Sequence, residues 1–268
     1  MIHVDFKLPA EVKDQKWYTD WLARDELKET WFEDWKAFRD KKAEEIDVTA
    51  DVDEAELTSA VWRKVKGYLF ALFHRKCGYC ESYVEHISPG AVDHYRPKAT
   101  YRWLAYEITN YIPSCTECNS GGKGAQFPVV GGRNATIPGG ETKERPQLLN
   151  PCDRAADRDP SKHLRFISQR GKTDVPGFVK GLTKEGRETI RLCALNERDL
   201  LITLREQAQQ SAVQQYLLKV ATLSERTPEA IKAVIEEVCD PGMQYSAARR
   251  DAVNDFILSA FQALGKTA

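Results

Sequence analysis

The sequence predicts an α+β fold that is mostly helical, with a small metal-stapled core set between N-terminal and C-terminal helices. Three observations lead there. Apolar and aromatic residues recur at helical spacing before residue 75 and again after residue 184. Two Cys-x-x-Cys pairs, Cys77/Cys80 and Cys115/Cys118, bracket 34 residues. Inside that bracket the apolar runs are short and separated by Pro and Gly.

Residues 10–46 read as helical: Leu27, Trp31, Trp35 and Phe38 recur on one face with Phe32 beside them, and Glu26, Glu29, Glu33, Asp34 and Lys36 fill the other. The aromatic stripe packs on the chain's own core or docks a partner. Residues 47–54 are polar and acidic, a linker ending in a helix cap. From about Glu54 to Arg75, Val61, Trp62, Val65, Tyr68, Leu69, Leu72 and Phe73 share a helical face, while Arg63, Lys64, Lys66, Arg75 and Lys76 make the opposite side basic. That side suits a phosphate backbone, and it equally suits simple solubility. A Ser-Pro-Gly turn at 88–90 precedes a short strand over Ala91–Tyr95 that carries Asp93 and His94 and stops at Pro97. A loop with Tyr101, Trp103 and Tyr106 leads to a second strand near Ile108–Ile112 and a helix opening near Cys115, which Gly121, Gly122 and Gly124 end early or bend. Residues 128–147, rich in Gly, Pro, Asn and Thr, form an irregular loop. Short strands are expected around 163–167 and 174–175, then helices at 184–195, 197–222, 228–239 and 246–263, the third opened by Thr227-Pro228-Glu229. No internal repeat is visible.

The 268 residues, 42% of them hydrophobic, suffice for a real core. The longest apolar run, Tyr68–Phe73, is far too short to span a bilayer, and the N-terminus lacks a basic start followed by an apolar stretch, so a cytoplasmic, membrane-free protein is expected. Seven cysteines, four paired and Cys152, Cys193 and Cys239 scattered, fit metal thiolates in a reducing compartment better than disulfides. A net charge of −1 hides an asymmetry: residues 1–60 hold 9 basic and 17 acidic residues, net −8, and the remainder is net +7. One portion can meet phosphates while another meets a protein, or the two are solvated surfaces of opposite sign.

A Cys-x-x-Cys turn presents two thiolates to one ion, and a second pair completes the four-sulfur shell that zinc favours. Four thiolates leave no open position, so this zinc is structural. Between the pairs lie Asp93-His94, Asn110 and, just after Cys118, Asn119. Carboxylate and amide oxygens suit a hard cation such as magnesium or manganese, and a neutral imidazole, with an unperturbed pKa of about 6.5, suits a general base. His86 is taken as structural or peripheral.

The string Cys-x-x-Cys-Glu, Asp-His-x-Arg-Pro-Lys, Asn-Tyr-x-Pro-Ser-Cys-x-x-Cys-Asn, with a lysine soon after, resembles the HNH endonuclease family and its ββα-metal core. More narrowly it is similar to the zinc-containing HNH nucleases encoded beside ATPase partners in prokaryotic defence operons of the Septu and retron type. The likeness covers the middle fifth of the chain, with a looser echo at Leu148–Pro151 and Asp159–Phe166. It implies a zinc-stapled ββα core at 57–130, and charge and periodicity divide the rest into an acidic helical region at 1–56, an irregular loop with short strands at 131–182 and a helical region at 183–268. It implies His94 as general base, Asp93 and Asn119 as ligands of the catalytic magnesium or manganese, and Asn110 as the asparagine that orients His94, although a turn residue making a local backbone bond would look the same. Arg96, Lys98 and Lys123 are assigned to phosphate contact. The expected activity is hydrolysis of phosphodiester bonds, in DNA first, with an ATPase subunit or a second copy of the chain as possible protein partners. The alternative is a zinc-dependent module that binds nucleic acid or protein without cutting.

Overall fold

A computed structural model describes residues 1–45, 57–84, 89–132, 134–171 and 173–263. The linker expected at 47–54 and His86 both lie outside them. The described residues are α+β and about half helical, with two small sheets among them. Among the described residues no helix is long and apolar enough to cross a membrane.

The N-terminal helical stretch is made of α1 (Pro9–Val12), α2 (Lys16–Arg24) and α3 (Trp31–Glu44). The main break follows Asp25, where Glu26 takes a left-handed conformation, φ 52°. The break lets α2 and α3 bring Trp21 and Trp31 edge to face at 5.1 Å, both against Tyr68 of helix α4 (Ala60–Leu72). The indole N–H of Trp31 donates to Tyr18 Oη and that of Trp35 to the Val61 carbonyl. Burying such rings with their N–H groups satisfied is the most favourable use of an aromatic stripe. Trp31 and Trp35 therefore pack on the chain's own core, and Leu27, outside α3, is exposed.

Helix α4 buries Val61, Val65, Tyr68, Leu69 and Leu72 and leaves Arg63 and Lys64 exposed. Beyond Phe73, both His74 and Arg75 adopt left-handed φ, at 53° and 61°, which reverses the chain into the first cysteine turn. Each such residue costs about 1–2 kcal/mol, so the reversal is held by its surroundings. Val84 N–H bonds back to the Arg75 carbonyl and Cys77 N–H to that of Ser82.

Strands β1 (Ala91–His94) and β2 (Tyr111–Ser114) pair antiparallel, with Asp93 opposite Ile112 and His94 opposite Tyr111. Gly78 packs against this sheet so closely that a Cβ there would lie 2.6 Å from Ile112. The helix expected near Cys115 does not form. Cys115–Cys118 make a turn and Asn119–Lys123 a single π-helical turn, because Gly121 and Gly122 resist regular helix and Gly124 takes φ 51°.

Strands β3 (Leu164–Phe166) and β4 (Val179–Gly181) form the second sheet. The expected strand at 174–175 is displaced to 179–181, since Pro176 has no N–H and Gly177, φ 83°, must turn under the Ile202 carbonyl. Helices α5 (Lys184–Leu192), α6 (Asp199–Thr222), α7 (Pro228–Val238) and α8 (Ser246–Ala263) lie close to their expected bounds. Thr183 and Thr227 each accept a hydrogen bond from the third residue beyond as N-caps. One core runs from Met1 to Ala248, and α6, α7 and α8 enclose a smaller one around Tyr216 and Val238.

Candidate metal centre and adjoining cleft

The four thiols meet. The sulfurs of Cys77, Cys80, Cys115 and Cys118 lie within 4.8 Å of one another, with Cys80 and Cys115 3.8 Å apart. A tetrahedral ion with Zn–S bonds of about 2.3 Å spaces its sulfurs about 3.8 Å apart, so the cluster fits zinc. Hydrogen bonds from their neighbours pull the Cys80 and Cys115 thiols below the ordinary value. Cys77 is pushed up by burial and Cys118 by donating to Cys115. The thiols of Cys193 and Cys239, both buried, and of half-buried Cys152 are not part of this sulfur group, although the Cys193 carbonyl lies 3.8 Å from Cys118 Sγ.

Sequence reasoning missed the second layer of the centre. Arg198, 80 residues beyond Cys118, donates to Cys118 Sγ at 3.3 Å and to the Cys193 carbonyl at 3.0 Å. Burial works against its charge, but the neighbouring sulfurs of Cys118 and Cys80 outweigh it and hold the guanidinium protonated. Behind the first cysteine turn, Glu81 accepts from Ser246 Oγ at 2.8 Å and pairs with the Met1 amino group at 2.6 Å and Lys76 at 3.7 Å. Lys76 also donates to the Met243 carbonyl at 3.0 Å. Burial alone would raise the Glu81 carboxyl; these cations bring it down to about 2. No signal in the sequence links these partners.

Next to the cysteine cluster a cleft of about 230 Å³ is lined by Trp62, Asp93, His94, Lys98 and Asn119, among others. The His94 ring sits edge to face between Trp62, at 4.8 Å, and Tyr111, at 5.1 Å. Its Nε2 lies 2.9 Å from the Ala105 carbonyl, which can only accept. In the neutral ring Nε2 therefore carries the proton and Nδ1 the lone pair. Lys98 places its ammonium 5.8 Å from the Trp62 ring centre.

Asn110 does not touch the cleft. Its Oδ1 accepts from Arg96 N–H at 2.8 Å, and its Nδ2 donates to the carbonyls of Arg96 at 3.0 Å and Leu104 at 3.2 Å. It thereby pins both ends of the loop whose Ala105 carbonyl fixes His94, a positioning role.

Two of the three basic residues assigned to phosphate lie elsewhere. Arg96 pairs with Glu144, donates to the Glu141 carbonyl at 3.1 Å and stacks on Tyr101 and Phe127, so it ties the 140–144 segment to the core. Lys123 is fully buried, with Nζ 3.0 Å from Asp93 Oδ1 and 2.8 Å from the His94 carbonyl. No phosphate can reach it. Its π-helical turn is held by Lys123 N–H to the Cys118 carbonyl and Gly124 N–H to that of Asn119, so one turn carries a thiol, a cleft amide and this ammonium.

Asp93 is 3% exposed; Tyr79 Oη donates to its Oδ2 at 2.6 Å and Lys123 to its Oδ1. Burial pushes its carboxyl up, and Lys123 and Tyr79 pull against that. Each carboxylate oxygen keeps a second acceptor direction. Asp93 and Asn119 both line the cleft, and a carboxylate and an amide oxygen are donor types that suit magnesium or manganese.

Fold and site together define an α+β protein with a four-thiol centre built against a histidine–carboxylate cleft. Its relatives carry Septu names. A Septu protein PtuB from Bacillus mycoides (strain KBAB4) is 37% identical over 150 residues, 51% of this chain and 48% of the relative. A Septu protein PtuB from Bacillus thuringiensis is 29% identical over 160 residues, 56% and 51% of the two chains. A Septu protein PtuA from Bacillus mycoides (strain KBAB4) is 29% identical over 184 residues, 62% of this chain and 23% of that one. The chain thus spans about half the length of the PtuB relatives and under a quarter of the PtuA relative. No family model matches the chain, and no solved structure matches it.

Proposed function

We propose that the chain is a metal-dependent nuclease of the HNH type, acting on nucleic acid and first on DNA, that serves a prokaryotic defence system of the Septu kind. The observation that carries the reading is the convergence of His94, Asp93, Asn119 and Lys98 on one cleft, next to four thiols suited to a structural zinc. The kinship to proteins named PtuB and PtuA supports the defence role and an accompanying partner protein, in keeping with an ATPase subunit.

In this mechanism His94, its Nε2–H held by Ala105, takes a proton from water at Nδ1. Trp62 and Tyr111 fix the ring so that little reorganisation is needed on proton uptake. Lys98 meets a phosphate oxygen. Asp93 and Asn119 would hold magnesium or manganese, which supplies Lewis-acid stabilisation of the phosphate and the departing 3′ oxygen when bound.

The test is cleavage of plasmid, single-stranded DNA and RNA with manganese, with and without brief EDTA treatment. His94→Ala should fold, retain zinc and cut about 100-fold more slowly or worse. An unchanged rate removes His94 from the mechanism. Binding without cutting on every nucleic acid and ion tried leaves the non-catalytic module.

A further inference from the structure

Resting on Asp93 and Asn119 as ligands of a hard divalent ion, we infer that Lys123 makes metal and nucleic acid bind together: the cleft takes up its ion tightly only when a phosphate arrives with it. The charge arrangement leads to this. Asp93 is the one acid among the described cleft residues, and its charge is already matched by a buried ammonium 3.0 Å away. Asn119 is neutral, and Lys98 adds a second positive charge to the cleft wall. Lys123 cannot swing aside, because it is 0% exposed and its Nζ also bonds the His94 carbonyl at 2.8 Å. A dication entering alone therefore meets a carboxylate whose charge Lys123 already cancels, a neutral amide and the ammonium of Lys98, with Coulomb repulsion strengthened by the low local dielectric. A phosphodiester brings the missing negative charge and further hard oxygen ligands. Each partner then raises the other's affinity by the same factor, as linkage requires.

The experiment titrates manganese(II), followed by electron paramagnetic resonance, into zinc-loaded full-length protein carrying His94→Ala, so that a short duplex DNA stays intact. The duplex should tighten manganese binding about tenfold or more, and manganese should tighten duplex binding equally. Adding Lys123→Gln, which keeps an N–H donor for the His94 carbonyl but removes the charge, should tighten manganese about tenfold without DNA and shrink the effect of DNA. Manganese affinity that is the same with and without duplex overturns the inference, and this comparison needs no Lys123 variant to fold. Manganese binding that survives Asp93→Ala overturns the metal reading itself and the inference with it. Binding that requires Asp93 but ignores both duplex and Lys123→Gln overturns the inference alone.

Discussion

Asn110→Ala tests whether this buried amide pins the loop that aims His94. Asn110 is 5% exposed and makes three hydrogen bonds, at 2.8, 3.0 and 3.2 Å, to the backbone of Arg96 and Leu104. At about 1 kcal/mol net for each bond, and more where a partner is left buried and unpaired, the loss is about 3–4 kcal/mol. Asn110→Asp sharpens the test. It keeps the acceptor for Arg96 N–H but turns an oxygen toward two carbonyls that need a donor, so it should destabilise at least as much as alanine. Urea unfolding of zinc-loaded protein, followed by far-ultraviolet circular dichroism, gives both values. Cleavage by the folded fraction should also fall, because the Ala105 carbonyl adjoins Leu104. A loss below about 1 kcal/mol for alanine, or aspartate behaving as wild type, would refute the positioning role.

Arg198→Met should weaken zinc retention by about 10- to 100-fold in competition with a chelator, because it strips the thiolates of their charged donor; equal retention would mean that the contact is incidental. Stripping zinc altogether, or Cys115→Ser, should abolish the cooperative unfolding transition of the core, read by calorimetry. Glu81 lies at about 2 against an ordinary 4.5, so its stabilisation is fully present above about pH 4.5 and is lost as pH falls towards 2. The shift corresponds to about 3 kcal/mol, which Glu81→Gln should remove from the acid limb of the stability curve; an unaltered limb would contradict the buried pairing.

The sequence made the thiol cluster and the Asp93–His94 strand legible because both are local: ligand spacing fixes a turn, and a short run ended by proline fixes a strand. Helical periodicity likewise placed α5 to α8 closely, whereas the stretch expected from about Glu54 to Arg75 is helical over Ala60–Leu72 among the described residues. What it could not show was which charges are buried. Lys123 follows a polar, glycine-rich stretch that suggests an open loop. Its burial depends on Gly122 lying against the Leu192 carbonyl, 2.6 Å from where a Cβ would be, some 70 residues along the chain. Arg96 looks like a phosphate ligand until Glu144 folds over it. Arg198 carries no motif at all; only the close of α5 beside Cys118 brings it to the sulfurs.

The contacts of Lys76 and Glu81 with the segment from Pro241 to Ser246 have a bearing on any attempt to isolate the cysteine-bracketed piece. A fragment of residues 57–130 would keep all four sulfurs and the histidine cleft, yet it would open to water two opposite charges that residues 241–246 keep dry. The metal knuckle is in that sense a clasp, whose second half is fastened by a segment 165 residues further along.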